Sequence, residues 1–296
     1  MPLNETGFVA VTLTLSLSMI IDCHTHIFPD AMRKNRDSLC ERDEGFSSIY
    51  KNPRARMVGA EDLIASMDES GVDRSVICGF SWESCDLCSV HNEYLLGSVF
   101  RYPDRLIAFV TLPFTDAEGS ERELEKAIRG GAKGAGEIAF YSREMTSGDI
   151  DRMTSVLALM QKEGIPLLLH ANEDIGHSYP GKGRTPLKTF YELASRFPGL
   201  DILLAHWGGG LPFYEMMPEV AKGMARVYYD TAASPFLYSR RIYDMVSRIV
   251  GSEKILFGSD FPLISPKKYF AEMEQSGLSE EDRRKILGLN LLKLLK

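Results

Sequence analysis

Short runs rich in Val, Ile and Leu recur along the chain, each followed by a longer stretch whose apolar positions return every three to four residues. The first pattern belongs to buried strands and the second to amphipathic helices. Strands are predicted at 19–24, 72–80, 105–113, 135–140, 166–171, 201–207, 227–232 and 255–260. Helices are predicted at 60–70, 93–101, 117–130, 149–163, 186–196, 211–223, 240–251 and 280–295. Gly71, Gly131, Gly164 and Gly251 stand just beyond predicted helices, where glycine ends a helix most readily, and Pro198 follows another. Eight strands, each followed by a helix, make an α/β chain of the (β/α)8 TIM-barrel class. No linker breaks the rhythm, so 19–296 reads as one domain.

Two segments fall outside that rhythm. Val11, Leu13, Leu15 and Leu17 alternate with Thr12, Thr14, Ser16 and Ser18 in strand fashion. Residues 1–18 are therefore either an added strand covering one end of the barrel or an extension ahead of a working chain that starts at Met19. The first basic residue is Arg33, so the apolar stretch 8–21 lacks the positive flank of a secretory signal, and it is too short to span a membrane. Segment 27–59, between the first strand and the first helix, is too long for a plain connection and is expected to fold over the barrel mouth as a partial lid.

Composition narrows the function classes. A chain of 296 residues with 44% hydrophobic content can bury a large core. The net charge of −7, from 34 basic and 41 acidic residues, offers no general attraction to phosphate backbones. Nucleic acid and membrane are not expected partners; a small-molecule substrate is, and a homo-oligomer such as a dimer is left open. Five cysteines without an even framework fit a reducing cytoplasm. Cys85 and Cys88 form a C-x-x-C with no second pair to complete a zinc ribbon, and are read as free thiols in a loop.

The candidate chemistry sits where the strands end. His24 and His26 close strand 1, two residues apart and so on one face, which lets both imidazoles converge on one ion. His170, His206 and Asp260 close strands 5, 6 and 8, and Glu137 lies in strand 4 behind the small residues Gly134, Ala135 and Gly136, which would allow close approach of a metal or substrate. A carboxylate inside a packed barrel is costly unless paired or bound to metal. In such barrels the carboxyl ends of all strands share one rim, so these positions make one site. The loop 173–184 offers His177, Tyr179, Lys182 and Arg184 as binders of a substrate carboxylate or phosphate, with a solvated loop as the alternative. Arg54 and Arg56 in the lid are fainter candidates. Trp207 is either an apolar wall of the pocket or plain core, and His91 is read as a surface or capping residue that opens a helix.

Asp22-x-His24-x-His26, His170, His206 and Asp260 resemble the amidohydrolase superfamily of metal-dependent hydrolases. The strings Leu204-Ala205-His206-Trp207-Gly208-Gly209, Phe257-Gly258-Ser259-Asp260-Phe261-Pro262 and Ile286-Leu287-Gly288-x-Asn290 are more similar to its amidohydrolase-related branch, which includes aminocarboxymuconate-semialdehyde decarboxylase. The resemblance implies that His24, His26, His170 and Asp260 hold a divalent metal, usually zinc, with His206 beside it as a catalytic group or second ligand. Many members carry a lysine on strand 4; Glu137 stands there instead, as in TatD-type hydrolases, which leaves one or two ions open.

A metal held by histidines and a carboxylate, with one open position, lowers the pKa of bound water to about 7. Asp260 would take the proton as that water attacks, and His206 would donate to the developing oxyanion, help worth on the order of 3 kcal/mol. The expected activity is therefore hydrolysis of a C–N or ester bond in a small polar, anionic substrate by metal-bound hydroxide. The alternatives are a nonoxidative decarboxylase of the same fold, in which His206 steers protonation of a carbanion-like carbon, and a non-catalytic metal-binding protein.

Overall fold

In the computed structural model, which describes residues 19–295, eight parallel strands stand in sequence order. They are β1 (Ile21–His26), β2 (Arg74–Cys78), β3 (Leu106–Val110), β4 (Gly134–Ile138), β5 (Leu167–Leu169), β6 (Ile202–Leu204), β7 (Val227–Asp230) and β8 (Ile255–Leu256). Backbone bonds from Cys23 N to Phe257 O (2.8 Å) and from Asp260 N to His24 O (2.9 Å) join the last strand to the first and close the barrel. All eight predicted strands are present, most of them shorter than expected. The alternating segment 1–18 lies outside the described residues.

Side chains of Ile21, Cys23, Val76, Cys78, Ile107, Phe109, Leu168, Leu203 and Leu256 meet in one buried cluster, which six strands around a ring can form only on the inside. Leu291 joins them from the helix Asn290–Leu294, so the C-terminal helix seals the amino ends of the strands. The outward residues of the strands pack against the surrounding helices in two further clusters.

Two strands depart from a regular register, both just before a ligand-type residue. Asp22 faces Ser75 while Thr25 faces Ile77, so Cys23 and His24 together oppose one residue of β2. Ala135 faces Leu167 while Ile138 faces Leu169, so Gly136 and Glu137 oppose one residue of β5. An extra residue reverses the inside–outside alternation beyond it. Cys23 and His24 are consequently both directed into the barrel.

The helices differ from expectation where local chemistry intervenes. The predicted 211–223 helix is a 3-10 segment, His206–Met216, followed by a short α-helix, Pro218–Gly223, because Gly208, Gly209 and Gly210 have positive φ and Pro212 cannot donate. The predicted 280–295 helix contains a π turn over Lys285–Leu289, and the predicted 149–163 helix breaks at Met153. Pro266–Glu274 is helical without having been expected. Segment 27–59 carries three short helices, Asp30–Lys34, Arg36–Arg42 and Glu44–Tyr50. Their Phe28, Phe46 and Tyr50 pack on Phe80 and Trp82 just after β2, which makes the expected lid a wedge of aromatic rings on the rim. Among the described residues no helix is long and apolar enough to cross a membrane.

Candidate metal centre

His24, His26, Glu137, His170, His206 and Asp260 converge at the carboxyl ends of the strands. Two groups form within it, His24–His26–Asp260 and Glu137–His170–His206, each with ligand atoms within 4.8 Å of one another. Glu137 links them: its Oε2 lies 3.6 Å from Nε2 of both His24 and His26, and its Oε1 lies 2.9 Å from His170 Nδ1 and 3.6 Å from His206 Nε2. Asp260 Oδ1 is 3.5 Å from His26 Nε2. Asp260 sits at φ 58°, a left-handed conformation uncommon outside glycine and one that aspartate tolerates better than most residues. Two backbone bonds hold it there, Asp260 N to His24 O and Leu263 N to Asp260 O.

The outer nitrogen of each ring is already committed. His24 Nδ1 donates to Asp230 Oδ2 (2.7 Å), His170 Nε2 to the Gly181 carbonyl (2.8 Å) and His206 Nδ1 to the Ala232 carbonyl (3.1 Å), while His26 is bound to the backbone of Gly79. These partners fix the tautomers and turn the other nitrogen of each ring, a lone pair, toward the centre. His24 Nε2 then meets His26 Nε2 at 3.0 Å, and His170 Nδ1 meets His206 Nε2 at 3.2 Å. Two lone pairs at that distance repel unless a positive charge lies between them. Four neutral imidazoles and two carboxylates facing inward fit a divalent cation, and the mixture of nitrogen and oxygen donors suits zinc or manganese.

The electrostatics of the bare donors point the same way. Burial opposes charge on His24, but Glu137 and Asp230 outweigh it and hold its basicity well above the ordinary value. Burial likewise opposes charge on His206, which the hydrogen bond to Glu137 and the carboxylates of Asp260 and Asp230 raise to about 9. His26 is lowered by burial and by His24. Glu137, although buried, is held well below the usual carboxylate range by His170 and His24. A cluster that draws protons onto its imidazoles is one that attracts positive charge.

Supporting residues lie one layer out: Asp230, which sequence reasoning missed, and Asp22, which it placed in the strand 1 motif without a role. Asp230, fully buried at the end of β7, accepts from His24 with one oxygen and from the backbone N–H of His206 (2.8 Å) and Ala232 (2.9 Å) with the other. An aspartate inside the seventh predicted strand, 227–232, was a signal that could have found it. Asp22 accepts from the Ser259 hydroxyl (2.5 Å) and from Ser259 N (2.9 Å), tying β1 to the loop that carries Asp260; burial raises its carboxyl to about 7.

Several expectations are corrected. His91 is not at a helix start or on the surface: the helix begins at Cys85, and His91 is buried within it. Its Nδ1 accepts from Trp82 Nε1 (3.0 Å) and Phe80 N (3.3 Å), and its Nε2 donates to Ile27 O (2.7 Å), so it braces the ends of β1 and β2. Cys85 and Cys88 stand in the first turn of that helix rather than in a loop, and burial raises the Cys88 thiol. Gly134 and Gly136 do not open space for a ligand; a Cβ there would strike the Phe109 ring and Leu168. Trp207 is core, stacked edge-on with Tyr243 and bonded to Ser234 Oγ (2.9 Å). His177, Arg184 and Arg54 are exposed and make no bond, ion pair or ring contact with the cluster. Lys182 pairs with Glu173 (3.1 Å), and Tyr179 bonds to Asn172 and Glu173, because the loop satisfies its own polar groups. Its contribution to the centre is the Gly181 carbonyl on His170. Arg56 reaches Pro262 O (3.3 Å), beside the Asp260 loop.

An aromatic wall borders the centre. Tyr141 meets His170 edge-on at 5.0 Å and stacks on Phe80 at 5.6 Å, and Tyr50 stacks on Phe46 at 4.6 Å.

The chain has counterparts among known proteins. The chain is 22% identical to a gamma-resorcylate decarboxylase of Polaromonas sp. (strain JS666 / ATCC BAA-500), covering 82% of this chain and 89% of that protein. Its fold is similar to 5-carboxyvanillate decarboxylase from Sphingomonas paucimobilis, with a TM-score of 0.78 at 15% identity over 94% of this chain and 98% of that one. It is also similar to dihydroxybenzoic acid decarboxylase from Polaromonas sp. JS666, solved with bound manganese and the inhibitor 2-nitroresorcinol, with a TM-score of 0.72 at 18% identity over 94% and 96% of the two chains. The amidohydrolase family model matches residues 21–296, and the chain belongs to that family of enzymes.

Proposed function

We propose that this enzyme is a metal-dependent nonoxidative decarboxylase of a hydroxylated aromatic carboxylate, rather than the hydrolase of C–N or ester bonds that the sequence favoured. The observation that carries this reading is the aromatic wall of Tyr141, Phe80 and Tyr50, which meets the donor cluster through Tyr141 on His170 and suits a flat ring with an anionic substituent. The similar proteins named for decarboxylation of aromatic acids support it.

His24, His26, Glu137, His170, His206 and Asp260 would hold the cation. When bound, a divalent ion supplies positive charge that fixes and polarises the anionic oxygens of a substrate. Asp260 and His26 are the most open members of the cluster, with side chains 17% and 13% exposed against 0–8% for the other four, so substrate approaches from their side. In the proposed reaction a proton passes from the Asp260 carboxyl to the ring carbon that bears the carboxylate. The bond between that carbon and the carboxylate then breaks, its electron pair returns to the ring, and carbon dioxide leaves. His206, held by the Ala232 carbonyl, keeps its Nε2 toward the centre, and solvent on the open side of Asp260 returns the proton.

The test uses the manganese-loaded protein and 2,6-dihydroxybenzoate in deuterated, oxygen-18-enriched water. Carbon dioxide release, one new carbon-bound deuterium and no oxygen-18 in the aromatic product are expected. No turnover of 2,6-dihydroxybenzoate, together with an oxygen-18-labelled acid formed without carbon dioxide when a phenyl ester or anilide is supplied in its place, would return the function to hydrolysis.

A further inference from the structure

Two phenols stand at the centre without a partner. Tyr50, at the end of the helix Glu44–Tyr50, is 9% exposed, and Tyr141 follows β4. Their rings are gripped on several sides: Tyr50 by Phe28 (5.2 Å), Phe46 (4.6 Å) and Phe80 (6.0 Å), Tyr141 by Phe80 (5.6 Å) and His170 (5.0 Å). Gly45 of the same lid helix lies so close to Tyr141 that a Cβ there would be 3.4 Å from the tyrosine's own Cβ. Packing therefore decides where both rings sit, and neither hydroxyl takes part in it.

Among the described residues neither hydroxyl has a hydrogen-bond partner, nor is either sealed away from solvent. Two other buried tyrosines are bonded, Tyr229 to Glu215 (2.6 Å) and Tyr269 to the Ser259 carbonyl (2.6 Å), whereas the Tyr243 hydroxyl, packed beside Trp207 away from the donor cluster, is not. The Tyr50 and Tyr141 hydroxyls both feel the charge of Glu137 and Asp260, and Tyr141 also feels Tyr50. They thus share one space with the donor cluster. Two hydroxyls that open on the space beside a candidate metal centre, with no protein partner, are a pair of donors available to an acceptor there.

We infer that Tyr50 and Tyr141 are specificity-determining residues that together donate hydrogen bonds to an anionic oxygen on the substrate's aromatic ring. This rests on the proposed function and adds to it the groups that read the substrate. The carboxylates nearby favour the neutral phenols, which act as donors and repel no anion. The acceptor is a carboxylate or a phenolate oxygen, the same chemistry from two sources. Because Tyr50 belongs to the lid and Tyr141 to the barrel, the acceptor would bridge the two.

The experiment is equilibrium binding of three probes, benzoate, 2-hydroxybenzoate and 2-nitrophenol, to the manganese-loaded wild-type protein and to Tyr50→Phe and Tyr141→Phe. Phenylalanine keeps the ring packing, and metal content, read by elemental analysis, should match wild type in both variants. A hydrogen bond to a charged acceptor predicts roughly tenfold or greater weakening per hydroxyl lost. Loss with benzoate assigns the carboxylate as the acceptor, and loss with 2-nitrophenol alone assigns the phenolate. Unchanged affinity of both variants for every probe that wild type binds would overturn the inference while leaving the decarboxylase reading intact. If wild type bound none of the three, both would fall.

Discussion

Asp230 shows how much a single carboxylate decides. It carries no ligand atom toward the centre, yet it sets the tautomer of His24 through one oxygen and anchors the backbone of His206 through the other. Asn at this position is nearly isosteric but brings an NH2 that would donate to His24 Nδ1, moving the imidazole proton to the nitrogen that faces the cation. Asp230→Asn should therefore weaken metal binding roughly 10- to 100-fold, the usual effect of losing such a partner, as read by competition against a chelator. Unaltered affinity would mean that the Asp230 bond does not orient His24. His91 illustrates the converse. Its polar atoms are all satisfied by Phe80, Trp82 and Ile27, which makes it a brace and not a ligand.

At the level of elements, the strand bulges place the chemistry. Strict alternation from Ile21 and Cys23 would send His24 and His26 out toward the helices, and the extra residue in β1 returns them to the interior. The irregularity in β4 does the same for Glu137, and it depends on Gly136, whose φ is 138° and whose Cβ would stand 2.5 Å from the Leu168 carbonyl. Gly136→Ala should cost on the order of 2–4 kcal/mol through strain and overlap, and should lower metal occupancy by displacing Glu137. Chemical denaturation together with elemental analysis checks both. A variant with wild-type stability and metal content would refute the role given to this glycine. The short segments 206–216 and 257–262 work similarly: departures from regular helix and strand turn His206 and Asp260 toward the axis.

Across the whole molecule, residues far apart in sequence are held against mutual repulsion by a closed barrel. Glu137 bonds to His170 (2.9 Å) and stands 3.6 Å from three other imidazoles whose inward nitrogens otherwise face other imidazole nitrogens, so the bare centre is a source of instability that a cation removes. A ligand that binds only the folded state stabilises it by mass action, about 2.7 kcal/mol at a hundredfold excess over its dissociation constant. Stripping metal with a chelator should lower the thermal midpoint by several degrees, and zinc or manganese should restore it. The combined substitution of His24 and His26 by Ala should abolish that dependence. A midpoint indifferent to chelator and metal would argue against a cation at this centre.

The sequence by itself determined the architecture: eight apolar runs in register with eight amphipathic stretches leave little choice but a barrel, since burial is a sum over many residues and survives errors at single positions. It also marked all six inward-facing donors, because histidine or carboxylate at the end of an apolar run is legible without knowing the neighbours. The orientation of those donors was decided only by the tertiary structure, since one inserted residue in a strand reverses a face and leaves no trace in composition. The fate of loop residues was likewise invisible: Lys182 and Tyr179 found partners within their own loop, whereas Tyr50 and Tyr141, unremarkable in sequence, ended beside the centre. Pairing of polar groups depends on which atoms arrive within about 3 Å of each other, and that distance is set by the packed fold rather than by spacing along the chain.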